Sequence, residues 1–108
     1  MNLEFTEKDN FGGYVPGYFP DNVASVKAVS KTQVRFNLKA AYNHNWFVFN
    51  ELSQITPLPA AWDRTASGPS NCAADAHSCA AVYNYLIAQN QDLSGYASNP
   101  IWSVVDGP

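Results

Sequence analysis

The sequence predicts a small α+β domain in which an antiparallel β-hairpin, or small sheet, packs with two to three helices. Three observations carry this. Residues 32–38 alternate strictly, with Val34, Phe36 and Leu38 pointing one way and Gln33, Arg35 and Asn37 the other. Cys79, Val82, Tyr83, Leu86 and Ile87 fall at i, i+3, i+4, i+7 and i+8, the apolar stripe of a helix. Between these two segments, Trp46, Phe47, Phe49 and Leu52 recur at helical spacing behind Asn43, whose short side chain suits a helix N-cap. With 108 residues, one domain spanning 1–108 is expected.

In chain order, residues 1–10 are polar and carry acids, unlike a signal peptide. Residues 11–22 (FGGYVPGYFPDN) combine glycines and prolines with Tyr14, Tyr18 and Phe19, which reads as a turn-rich loop bearing aromatics. A strand over 23–29 follows, with Ala24, Val26 and Ala28 expected on one face, and Ser30 and Lys31 connect it to the alternating strand. Trp46, Phe47 and Phe49 are expected in the core. Pro57 and Pro59 stop the helix behind Asn43, leaving 53–57 extended and one short turn from Pro59 to Trp62. Residues 64–71 read as a loop. Asp75 is placed to cap the second helix or to sit in its first turn, favourably for the helix dipole. A loop over 92–100 and a strand-like run over 101–105 complete the chain.

Composition narrows the function. The chain is 46% hydrophobic and 14% charged, the balance of a globular domain rather than a disordered tail. A net charge of −3, with six basic residues in no run, argues against nucleic acid. No stretch is long enough for a membrane-spanning helix.

Catalytic motifs are scarce, and no enzyme is predicted. There is no Gly-x-Ser-x-Gly turn and no phosphate-binding glycine loop, and the histidines are His44 and His77. Glu51 and Asp63 are the best-placed carboxylates for paired acid–base work, yet each fits a helix end or a turn equally well. Cys72, His77 and Cys79 lie close together with Asp75 between them. They admit a short-loop disulfide, free thiols or a zinc site; zinc lacks a second ligand pair, and the Cys72–Cys79 disulfide is the favoured reading. No metal or other cofactor is expected. Tyr14 and Tyr18 remain as candidate ligand contacts, because a loop on a rigid scaffold is a common home for binding residues and tyrosine offers contact area at low entropic cost.

Four stretches together resemble the extracellular solute-binding protein family 5, the oligopeptide- and dipeptide-binding proteins of ABC importers. They are the hairpin ASVKAVSKTQVRFNLKAAYN, the run WFVFNELSQITPLPAAWD in its actinobacterial form, the segment CAAVYNYLIAQNQDLSGYASNPIWSVVDGP, and the loop NFGGYVPGYFPDN. The resemblance implies a two-lobed fold like that of periplasmic binding proteins, with this chain an excised small additional lobe that would continue past Gly107 and Pro108. It further implies a lipoprotein anchored at the cell surface, extracellular or periplasmic, with partners in a peptide ligand, the remaining lobes of the same polypeptide and membrane permease subunits. The loop before the hairpin approaches the ligand in such receptors, so Tyr14 and Tyr18 are the matching positions. The Cys72–Cys79 segment departs from the dipeptide receptors and resembles a subgroup insertion.

Two classes of function follow. The first is a peptide-binding lobe of an importer, expected to bind weakly alone and to dimerise through surface its neighbours would cover. The second is a free-standing secreted module that recognises carbohydrate or cell wall through Tyr14, Tyr18 and a tryptophan.

Overall fold

The computed structural model describes residues 1–11, 13–55, 57–91 and 101. It is a mixed α+β arrangement, as the sequence predicts, and it divides into two compact units. One is the continuous stretch Lys8–Pro57; the other joins Met1–Glu7 to Leu58–Pro108. The expected loop over 92–100 and all but Ile101 of the run over 101–105 lie outside the described residues.

The continuous unit is built on strands β1 (Val23–Ser30) and β2 (Gln33–Leu38), paired antiparallel as expected. Val26 stands opposite Phe36 and Ala28 opposite Val34, which gives the hairpin its apolar face. The ladder shifts register at two points, the second between Ala28 and Ser30. The first, between Val23 and Ser25, leaves Ala24 unpaired as a bulge, so Val23 pairs with Leu38 while Ala24 is exposed. Val23 is the larger residue and is 1% exposed, so the bulge buries the side chain that gains more from leaving water. Lys39 N–H donating to Asn22 C=O extends the pairing beyond the ladder.

Asn43 caps the following helix, its side-chain oxygen accepting from Trp46 N–H at 3.0 Å. The helix begins as α2 (His44–Trp46), widens into a π-helical turn over Phe47–Glu51 and tightens to 3₁₀ over Leu52–Gln54. Residues two apart lie on nearly opposite sides of a helix, so Phe47 and Phe49 cannot both face inward. Phe47 is 8% exposed and meets Phe36 edge-on with ring centroids 6.2 Å apart, but Phe49 is 72% exposed and is not a core residue as its spacing implied. Ser53 and Gln54 are helical where an extended segment was expected, and Ile55 turns to extended backbone.

The discontinuous unit opens with a helix, α1 (Asn2–Thr6), where sequence alone offered a loop. Five residues cannot sustain a helix by themselves. This one is held by burial of Leu3 and by Asn2 Nδ2, which donates to the carbonyls of Cys72 and Ala73 at 2.9 and 3.1 Å. Pro59 caps a short 3₁₀ turn, Ala60–Trp62, as foreseen. The stretch read as a loop contains a small ladder, β3 (Arg64–Thr65) with β4 (Gly68–Pro69), turning through Ala66 and Ser67 into Gly68 at φ +119°. Helix α3 (Cys79–Gln91) follows a 3₁₀ turn whose cap is Asp75, its carboxylate accepting from His77 N–H at 3.0 Å. Cys79 and Val82 are buried, as the stripe predicts, while Ile87 at its end is exposed.

Candidate functional site

The loop that carries Tyr14 and Tyr18 is organised by Asp21. Its carboxylate accepts from Gly17 N–H at 3.0 Å, from Lys8 Nζ at 2.5 Å and from Tyr14 Oη at 2.6 Å. These donors, the Gly17 amide first, favour the charged form and hold Asp21 far below the usual carboxylate range. The same contact with Asp21 pushes Lys8 up to about 12, and it also raises the Tyr14 phenol. Lys8 Nζ lies 5.2 Å from the centre of the Tyr14 ring, adding a cation–π contact. Tyr14 is therefore spent on structure at both its hydroxyl and its face.

Tyr18 lies at the other end of the same loop and behaves differently. Its ring packs on Trp46 at 5.3 Å with a 49° tilt, and Trp46 in turn stacks on Tyr42 at 5.9 Å and 23°. Such offset and tilted geometries are the favoured ones for aromatic pairs. Trp46 is fixed by the Asn43 cap on its own backbone N–H, and Tyr42 sits just ahead of that cap, bracketing the helix start much as a hydrophobic staple does. Tyr18 and Tyr42 remain 38% and 39% exposed. Among the described residues no hydrogen-bond partner meets Tyr18 Oη, Tyr42 Oη or Trp46 Nε1. The cluster thus offers flat apolar faces beside three free hydrogen-bonding groups.

Sequence reasoning singled out Tyr18 and missed its two partners. Tyr42 and Trp46 lie four residues apart around a capping Asn43, a spacing that places them together once the helix start is recognised. Nothing local joins Tyr18 to them, since that contact spans the whole hairpin.

The remaining candidates serve the fold. Cys72 and Cys79 are joined, with Cα atoms 4.7 Å apart, so neither sulfur is available to a metal, and the zinc alternative falls. His77 has a nearly fully exposed ring 3.1 Å from Asp75. The carboxylate of Asp63 accepts from the N–H groups of Cys72 and Ala73 at 2.9 and 2.7 Å, which fixes the loop leading to the disulfide. Glu51 is buried against Asn22. A cavity of about 110 Å³ lies among Leu3, Leu58, Pro59, Trp62, Val82 and Leu86. It is well short of the ~300 Å³ at which small-molecule sites begin.

No family model matches the chain, and neither a curated protein nor a solved structure matches it.

Proposed function

We propose that this chain is a lobe of the substrate-binding component of an ABC importer, taking part in the capture of extracellular peptides. The observation that carries the reading is the cluster of Tyr18, Trp46 and Tyr42, with both tyrosines exposed and Trp46 half-buried, set on the loop and helix start that flank the hairpin. Its support is the resemblance of residues 24–63 to family 5 solute-binding proteins, together with a loop aromatic left free for a ligand. Tyr18 is the better contact, because Tyr14 is already held by Asp21 and Lys8. Aromatic faces accept varied side chains, and the free hydroxyl and indole N–H groups can satisfy peptide amides without reading sequence. A site this open binds weakly unless other surfaces close over the ligand.

Thermal stability against pooled short peptides tests the reading, measured on this chain and on a longer chain carrying the rest of a two-lobed receptor. Peptide should raise the melting temperature of the longer chain, as linkage requires. Tyr18→Ala should abolish most of that rise and Tyr14→Phe should leave it. Stabilisation by glycans with no response to peptides would instead favour the carbohydrate-binding module, which the same aromatic faces would also serve.

A further inference from the structure

The ladder brings together cations that look scattered in the sequence. Lys27 stands directly opposite Arg35, so the two side chains share one face of the hairpin. Lys31 lies in the turn between the strands, and Lys39 follows β2. Four of the six basic residues therefore belong to one hairpin, in which no acid occurs from Val23 to Lys39, although the chain as a whole carries −3. Like charges placed directly across a ladder repel. Here nothing relieves them: the ion pairs among the described residues are Met1 with Glu4, Lys8 with Asp21 and His77 with Asp75. Every residue from 27 to 35 is exposed. Among them Val29, two residues on from Lys27 along β1, leaves 51% of its surface in water, while the exposed Val34 belongs with Ala28 to the opposite face.

We propose that this end of the hairpin docks on an anionic lipid surface, with Lys27, Lys31 and Arg35 at the headgroups and Val29 entering the interface. Charge complementarity requires an anionic occupant, and size separates the candidates. A specific protein interface takes about 20–30 residues from each partner, and lysine is depleted at its core. Nine exposed residues rich in lysine do not supply that. A bilayer demands no shape match, takes basic residues additively at roughly fivefold in partitioning each, and accepts apolar side chains beside them. The long stems of lysine and arginine let their charges reach the headgroups while Val29 sits deeper. This inference stands independently of the peptide-binding reading.

Co-sedimentation with vesicles tests it. The chain should partition onto phosphatidylcholine vesicles containing phosphatidylglycerol, and not onto pure phosphatidylcholine, with binding that weakens as salt screens the charges. Lys27→Gln and Arg35→Gln should each lower the partition coefficient about fivefold, and the triple variant with Lys31→Gln about a hundredfold. Val29→Ser should lower it severalfold at unchanged charge. All these positions are exposed, and matched circular dichroism and melting curves confirm that the variants are folded. Equal partitioning by the triple variant, binding to neutral vesicles, or unchanged binding by the serine variant overturns the proposal. So does capture by soluble polyglutamate as strong as by vesicles, which would mark an acidic-polypeptide site.

Discussion

Asn22 donates its side-chain N–H to one carboxyl oxygen of Glu51 inside the continuous unit, with the two residues 3% and 1% exposed. Asn22 Oδ1 and Glu51 Oε1 are buried beside this bond and find no partner among the described residues. Two acceptors are thus left facing a dry interior, and burial raises the Glu51 carboxyl above its ordinary value.

The sign of the pH effect follows. A carboxyl whose folded pKa exceeds its unfolded value of about 4.3 is best tolerated below that pH, and stability falls as pH rises through the folded value. Glu51→Gln supplies an N–H that can donate to Asn22 Oδ1 and removes the titration. It should stabilise the protein by about 1–2 kcal/mol at neutral pH and flatten the slope above pH 4 in urea unfolding followed across pH. A variant less stable than the parent at neutral pH contradicts this.

Asp21 behaves in the opposite sense. Its folded pKa is depressed, so its contribution is complete above about pH 4 and disappears as pH falls toward the native value. Lys8, raised to about 12, contributes fully below its unfolded value of about 10.4 and loses that contribution as pH climbs through 12. Asp21→Asn should therefore loosen the 14–21 loop at neutral pH and speed amide exchange at Gly17. An unchanged exchange rate at Gly17 would show that the carboxylate does not organise the loop.

The π-helical turn sets up a direct comparison of two phenylalanines. Phe47→Ala should cost about 3–4 kcal/mol, since it empties a buried site against Phe36. Phe49→Ser, at an exposed position, should shift stability by less than about 0.5 kcal/mol. Similar costs for both in chemical denaturation would mean that Phe49 is buried as well as Phe47.

Legibility in the sequence tracked the range of the interaction. The hairpin, the Asn43 and Asp75 caps and the α3 stripe rest on neighbours within a few residues, and all were readable. The Ala24 bulge was not, because alternation cannot say which of two adjacent residues a ladder will skip. Helix α1 was hidden because its anchor, Asn2 on the Cys72 and Ala73 carbonyls, is some seventy residues distant along the chain. Phe49 was misplaced because, two residues on from Phe47, it falls on the other side of the helix. At the candidate site, Tyr18 was visible as a loop aromatic with no local duty, whereas its union with Trp46 and Tyr42 needed the folded chain. The basic face was hidden for the same reason, since Lys27 and Arg35 meet only through cross-strand register.

The disulfide closes a short loop, and the chain-entropy model assigns it about 2–3 kcal/mol. Cys72→Ser with Cys79→Ser should lose about that amount in denaturant unfolding. Asp63→Ala should also destabilise, even with the bridge intact, because it strips the acceptor from two backbone N–H groups at Cys72 and Ala73. No loss from Asp63→Ala would leave the bridge alone responsible for ordering this loop.

The order of segments along the chain has a thermodynamic consequence. Lys8–Pro57 interrupts the other unit between Glu7 and Leu58. Were it to unfold alone, it would become a slack tether, and keeping α1 against α3 would then carry the closure entropy of that whole length. Folded, that stretch has far fewer conformations to lose, and the penalty shrinks accordingly. A guest that tightens the aromatic cluster would thereby also firm up a helix it never touches, with chain connectivity alone as the messenger.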